Sequence, residues 1–505
     1  MLTITRIYTL LIFAALTLSS LFSATNGDAI IYPNKYIGEK IEYFFFDMKG
    51  WPGRVNTAAK AKDFFVDDDM NGVRVSIYGD DTRPAHPAPG IVDDTYYTPM
   101  LNSMNRAKTA RGNKDFYVFA SKKLDGQTSF PHWTKDENGV IVTEYVKLLQ
   151  DYLLFMKDKG FEVDFLAIQN EEEFNEGQIT PAKHKAIVDS LRNITARLNL
   201  KMPLIVGYED YGPDKEDWVK IMHDNNWLDR MDIYGTHYYP RLRPIKKLNN
   251  DLRLIGDMPF WSTEPHWDQS DDDFNDAEAA MCALWDQIEV RMSGFMWWNY
   301  NNGENLRSYL MRVASVPLKD AQMVDMDDID GRETTQYGRL QTRTFRKDNT
   351  LTIYIINNNV NLAYPNYGFE LSGETIQSGS ISYQQWIKGE GHQGIIGNDA
   401  TMISSRKFRL NIPKESITVI TLQLTPTGTQ GGMNSNQKEN YVYQPLNSNV
   451  LYLHGNSEGD PIQIISNIGQ VVVRSNQNEI DISHLVAGMY IVRNSKGETS
   501  KFLKY

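Results

Sequence analysis

The chain has 505 residues and a net charge of −12, from 52 Lys and Arg against 64 Asp and Glu. At about 150 residues per domain this length suggests roughly three domains, and 41% hydrophobic residues with 23% charged exclude wholesale disorder. The acidic balance excludes a sequence-independent nucleic-acid binder, which needs cations to neutralise phosphates. The single cysteine, Cys282, excludes an intramolecular disulfide and the usual cysteine-rich zinc sites.

Residues 1–27 place Arg6 before an apolar stretch from Tyr8 to Leu18, then small residues around Ser23 and Ala24. This is the pattern of a secretory signal peptide cleaved near Ala24, and the stretch is shorter than the ~20 residues of a membrane span. The chain is therefore expected to be secreted or held at the cell surface.

From about residue 38 to 305, short apolar runs alternate with helical stretches. The runs are 41–46, 72–79, 115–121, 163–170, 203–210, 231–238, 259–265 and 294–300. Their near-continuous hydrophobic interiors predict parallel strands buried on both faces. Tyr145, Leu148, Leu149, Tyr152, Leu153 and Met156 recur at helical spacing and predict a helix over 142–159. Thr180-Pro181 opens another, with Thr as N-cap and Pro in the first turn. Eight alternating units predict a (β/α)8 TIM barrel over 28–335. A doubly wound sheet is the rival, but no glycine-rich phosphate turn follows the first strand.

After about 335 the period changes from helical to two, which predicts an antiparallel β-sandwich over 336–425. Residues 426–440 are rich in Gly, Asn and Gln and predict a linker. Residues 441–505 return to short strands and turns, as a small all-β domain; read from residues alone it could be a carbohydrate-binding module.

In a barrel of this type the active site lies at the C-terminal ends of the strands. The fourth strand ends in Gln169-Asn170-Glu171 and the seventh in Ser262-Thr263-Glu264. Two carboxyls across a barrel mouth suit glycoside hydrolysis: one protonates the leaving oxygen, the other attacks the anomeric carbon or activates water. Taken alone, the run Glu171-Glu172-Glu173 could be an acidic helix start. Arg74, inside the second strand, needs a buried anion, either a nucleophilic carboxylate or a structural partner. His237 and Tyr239 end the sixth strand, and Trp297 and Trp298 the eighth; one Trp should face the mouth and the other pack outward. Trp267, after strand seven, sits where a loop would shape a subsite.

The run Phe165–Glu171, the segment Gly235-Thr236-His237-Tyr238-Tyr239 and the Trp297-Trp298 pair resemble family 30 of the clan GH-A glycoside hydrolases. That resemblance implies Glu171 as acid/base, Glu264 as nucleophile and Asn170 as partner of the substrate 2-hydroxyl. It also implies His237 and Tyr239 as supports of the carboxylates, and a retaining mechanism. The chain departs from the family with Glu172 where Pro usually follows the acid/base, and with Ala120–Leu124 in place of the usual loop after strand three. Agar- or porphyran-cleaving relatives in the clan are an alternative, as is a non-catalytic carbohydrate-binding barrel. Residues 467–472, 480–485 and 487–492, with the Lys-rich end, resemble a type IX secretion sorting domain of Bacteroidetes, which implies the type IX machinery as a partner. No cofactor and no metal is expected, and a monomer acting on polysaccharide or oligosaccharide is.

Three other signals are set aside. The GxGxxG match at 389–394 lies in a β-rich region with no helix after it. The acidic run 325–330 has Ile329 where an EF-hand needs a ligand. Asp67–Asp69 and Asp271–Asp273 read as helix ends or loops.

Overall fold

The computed structural model describes residues 29–425 and 441–504, apart from residue 81 and segments 123–129, 172–178, 213–216, 239–251, 266–269, 298–305, 308–309, 311–315, 328–339, 444–449, 455–460, 467–469, 487 and 496–498. The signal peptide and linker assigned from sequence lie outside the described residues.

Eight parallel strands close into a barrel: β1 (Tyr43–Asp47), β2 (Gly72–Ile77), β3 (Tyr117–Lys122), β4 (Phe165–Ala167), β5 (Leu204–Asp210), β6 (Ile233–Tyr238), β7 (Phe260–Pro265) and β8 (Met292–Trp297). All eight coincide with the predicted runs. Alternation sorts their side chains into two cores. Phe45, Phe119, Phe165, Val206, Ile233, Trp261 and Met296 fill the interior. Phe44, Phe46, Val73, Val75, Phe295 and Trp297 face outward and pack in the larger core that the helices cover. Gly294 is required where it is: a Cβ there would come within 2.8 Å of the Trp261 indole.

The helix Val142–Asp158 buries the predicted stripe. Tyr145 Oη, from that stripe, donates to the Ile168 carbonyl at 2.6 Å and so ties the helix to the end of β4. The helix Pro181–Leu198 starts at Thr180, whose side chain accepts from the Lys183 N–H. Asp272 caps the helix Asp273–Glu289 in the same way. Asp69 pairs with Arg111 at 2.6 Å and with Lys319. These acidic residues are thus occupied as helix caps and ion pairs.

The second sheet has ten strands, in the order Ile395–Gly397, Ser382–Ile387, Ser416–Gln423, Thr350–Asn357, Leu340–Lys347, Gln322–Asp327, Ala29–Ile37, Tyr364–Leu371, Lys407–Ile412 and Thr401–Ser404. It is antiparallel except where Ala29–Ile37 pairs with Tyr364–Leu371. It is wider than residues 336–425, because Ala29–Ile37 and Gln322–Asp327 on either side of the barrel pair with each other inside it. The two edge strands follow one another in the chain across residues 398–400. That connection spans on the order of 14 Å at most, so the edges lie close and the sheet curls over its own core. Thr350–Asn357 is buried on both faces. Ile353 and Ile355 enter the sheet's core, while Tyr354 and Ile356 join the core of the barrel. Cys282 lies at this junction, its Sγ 3.1 Å from Gln341 Oε1, which is a packing position.

Residues 426–505 form a separate compact unit. Its three-stranded sheet comprises Tyr441–Tyr443, Val450–His454 and Glu479–Asp481, and its four-stranded sheet Val471–Ser475, Ile462–Ser466, Gly488–Arg493 and Thr499–Lys504. Leu451, Ile462, Ile464, Ile480, Ile482 and Val492 form its core. Among the described residues no helix is long and apolar enough to cross a membrane.

Candidate active site

The polar groups at the C-terminal ends of the barrel strands converge on Arg74, which is 0% exposed. Its Nη1 donates to Asp47 Oδ2 at 2.8 Å and to Glu264 Oε1 at 2.6 Å. Its Nη2 donates to Glu209 Oε1 at 2.7 Å and to Asn170 Oδ1 at 3.1 Å. One guanidinium thereby holds groups from β1, β5 and β7 and from the end of β4. The two partners anticipated for Arg74 are both present: Glu264 at the mouth, and Asp47 and Glu209 as structural anions beneath it. A fork of fixed donors suits this task better than a point charge.

Two β-bulges turn carboxylates inward. Tyr208 and Asp210 pair with successive residues of β6, leaving Glu209 between them at φ 58°. Ser262 and Glu264 do the same, leaving Thr263 unpaired and setting Glu264 beside His237. Bulges next to active sites re-aim side chains in this way. Glu171, just beyond β4, also has a left-handed backbone, φ 52°, and its N–H donates to the Glu209 carbonyl at 2.8 Å.

Glu171 and Glu264 are each 6% exposed. His237 lies between them, with Nδ1 2.8 Å from Glu171 Oε1 and 3.5 Å from Glu264 Oε2. Its Nε2 is 3.4 Å from Glu209 Oε1. One carboxylate oxygen of each Glu and a His237 ring nitrogen lie within 4.8 Å of one another. Three such ligand atoms could in principle receive a metal. Arg74 and Lys49 both sit on Glu264 Oε1, however, and place two positive charges against any dication there.

Burial would raise the Glu264 carboxyl, but the charges of His237, Lys49 and Arg74 outweigh it and hold the group well below the usual carboxylate range. Burial likewise opposes ionisation of Glu209, and Arg74 and His237 bring it down to about 2. Asp47 goes the other way: burial, the largest effect, raises it despite Arg74. His237 is pushed down by burial but carried up to about 10 by Glu264, Glu171 and Glu209. Four carboxyls therefore face three cationic groups, and a buried cluster of this kind is neutral when one proton stays on a carboxyl.

The His237 shift sets a sign for stability. Its folded value lies above the unfolded value of about 6.5, so the native state binds the extra proton between about pH 6.5 and 10. This contribution is full below pH 6.5 and is lost as pH rises through about 10, at up to ~1.4 kcal/mol per pH unit. His237→Gln is expected to flatten that slope. Urea melts at pH 6, 8 and 9.5 check it, and parallel slopes for wild type and variant would contradict it.

Of the residues proposed from sequence, Glu171, Glu264, Arg74, Asn170 and His237 are brought together. Trp297 is not among them: it is 2% exposed, and strand parity turns it outward into the helix-covered core. It is the outward member of the Trp297-Trp298 pair. Tyr239, Trp267 and Trp298 lie outside the described residues, as do Glu172 and Glu173. Four further polar groups join the cluster. Asp47 and Glu209 end β1 and β5, Ser121 Oγ donates to Glu209 Oε2 at 2.9 Å, and Lys49 Nζ is 3.1 Å from Glu264 Oε1. The strand-end criterion that selects Glu171 and Glu264 applies equally to Asp47 and Glu209; Lys49 lies two residues past its strand and has no such signal.

Comparison with known proteins agrees with this architecture. Residues 445–505 match the secretion system C-terminal sorting domain, which indicates export. Glucuronoxylanase XynC of Bacillus subtilis is 21% identical over 302 residues, 55% of this chain and 66% of that protein, so the chain spans just under two thirds of this relative. A family 30 endoxylanase from Clostridium papyrosolvens superposes with a TM-score of 0.59 at 17% identity, over 78% of this chain and 100% of that one. An endo-β1,6-glucanase does so with a TM-score of 0.54 at 14% identity, over 79% and 96%. The barrel with its appended sheet is thus the fold of family 30 glycoside hydrolases. Two carboxyls, Glu171 and Glu264, are paired at the mouth of that barrel.

Proposed function

We propose that the protein is a secreted retaining glycoside hydrolase that cleaves a β-linked polysaccharide by double displacement. The observation that carries this reading is the buried pair Glu171 and Glu264, with one carboxylate oxygen of each within 4.8 Å of the other. Retaining enzymes need carboxyl groups ~5–5.5 Å apart, whereas inverting enzymes leave ~6.5–9.5 Å for a water.

Glu264, kept ionised by three positive neighbours, attacks the anomeric carbon. Glu171 gives its proton to the leaving oxygen. Glu171 Oε1 is held in place by His237 Nδ1 at 2.8 Å. Water then attacks the glycosyl ester, and Glu171 takes back a proton. Asn170 donates from Nδ2 to the substrate 2-hydroxyl. Its orientation is supported by Arg74 and Lys49, both of which donate to Oδ1. Tyr239 supports the carboxylates, while Trp267 and Trp298 supply stacking faces for sugar rings.

Residues 28–335 form the catalytic unit together with the sandwich. Residues 426–440 are a linker, and 441–505 address the chain to the type IX machinery. The protein acts as a monomer outside the cell or on its surface. Known proteins with this fold act on xylan and on β-1,6-glucan, so the βα loops decide the sugar. Digestion of a panel of xylans, β-glucans, agar and porphyran, with sizing of products, tests the reading. Release of fragments from at least one β-linked polymer is expected; binding without cleavage across the panel would replace it with a carbohydrate-binding role.

A further inference from the structure

Lys49 lies two residues beyond β1, and its backbone is held from both sides. Its N–H donates to Asp47 Oδ1 at 2.7 Å, and its carbonyl accepts from Ser76 Oγ at 3.1 Å. The side chain is 6% exposed, and its Nζ meets Glu264 Oε1 at 3.1 Å and also Asn170 Oδ1. Arg74 Nη1 lies on the same Oε1 at 2.6 Å. Two cations therefore share one oxygen of the nucleophile. The other, Oε2, lies 3.5 Å from His237 Nδ1, the nitrogen that holds Glu171.

We infer that Lys49 is a positioning residue of the reaction, which fixes Glu264 Oε1 so that Oε2 attacks, and which favours the second displacement over the first. This rests on the glycosidase reading. In the first step Oε2 bonds to the anomeric carbon. The bond to the leaving oxygen breaks, its electron pair goes to that oxygen, and Glu171 protonates it. The carboxylate charge beside Lys49 and Arg74 disappears into the ester. In the second step a water oxygen bonds to the anomeric carbon and its proton passes to Glu171. The electron pair of the C–Oε2 bond returns to Glu264, restoring the charge beside the two cations. A cation placed on Oε1 thus stabilises the carboxylate before the first step and the departing carboxylate in the second. Arg74 is also hydrogen-bonded to Asp47 and Glu209, whereas the side-chain hydrogen bonds of Lys49 are to Glu264 and Asn170, so replacing Lys49 leaves the Arg74 pairs with Asp47 and Glu209 in place.

The test uses Lys49→Met and Lys49→Gln in the full chain. Carbon-13 glutamate labelling follows the Glu264 carboxyl, assigned by its loss in Glu264→Gln. The charged groups around it are Arg74 from β2 and His237 from β6, with Asp47, Glu171 and Glu209 behind them. All remain in both variants, so a rise in the Glu264 midpoint reports Lys49. The expected kinetic result, with the dinitrophenyl β-glycoside of the sugar that the panel digestion releases, is a roughly tenfold fall in kcat with kcat/KM unchanged or raised, and accumulation of glycosyl-enzyme in intact mass spectra. An unmoved Glu264 midpoint overturns the inference whatever the enzyme cleaves. Equal falls in kcat and kcat/KM without a covalent adduct also overturn it. A wild-type protein inert on every glycan overturns the glycosidase reading, and with it the claim about the second displacement.

Discussion

Glu264→Ala is expected to lower turnover on the cleaved polysaccharide by about 10⁴-fold or more, because it removes the proposed nucleophile outright. Glu171→Ala is expected to cost about 10²–10⁴-fold, and less on a substrate whose leaving group needs no proton. The two variants should also respond differently to added azide. In Glu264→Ala the vacated space lies below the anomeric carbon, so azide replaces the attacking carboxylate and gives a product of inverted configuration. In Glu171→Ala the ester still forms, and azide attacks it to give a retained product. Product configuration therefore distinguishes the two carboxylates by role as well as by importance. Near-full activity in Glu264→Ala would remove the proposed assignment.

Arg74→Met is expected to have the largest effect on stability. The guanidinium is the common partner of Asp47, Glu209 and Glu264, all within 2.8 Å. Its loss leaves buried carboxylates facing one another without their main counter-charge. Breaking a buried pair in this way costs about 3–5 kcal/mol, mostly from the charges left unpaired. The same reasoning predicts partial recovery when one anion is removed as well. Arg74→Met with Glu209→Gln should regain part of the lost urea midpoint, since fewer like charges then remain. An unchanged midpoint in the single variant would mean that the cluster contributes nothing to the fold. A double variant weaker than the single would mean that Glu209 has a role apart from its ion pair.

Why some features were legible in the sequence and others were not follows from the distance over which each is determined. The eight barrel strands are local: each is a short apolar run bounded by turns, and all eight fall on predicted segments. Glu171 and Glu264 are legible because each follows such a run. Ala29–Ile37 is harder to read, since Pro33 interrupts it and its partner strand, Gln322–Asp327, lies on the far side of the barrel domain. Glu209 also stands at a strand end, but its inward orientation depends on a bulge in β5 that no periodicity signals, and Lys49 depends on a contact 215 positions away in the chain. Trp297 shows the converse case. Its strand was evident, but its orientation required the register that places Met296 in the barrel interior and Trp297 outside it.

The central claim is that Glu264 and Glu171 act as nucleophile and acid/base in a double displacement. Proton NMR of the first products of polysaccharide cleavage, recorded before mutarotation, tests it most directly. The account predicts that the new reducing end appears first as the β-anomer and drifts towards equilibrium. Initial appearance of the α-anomer would contradict it.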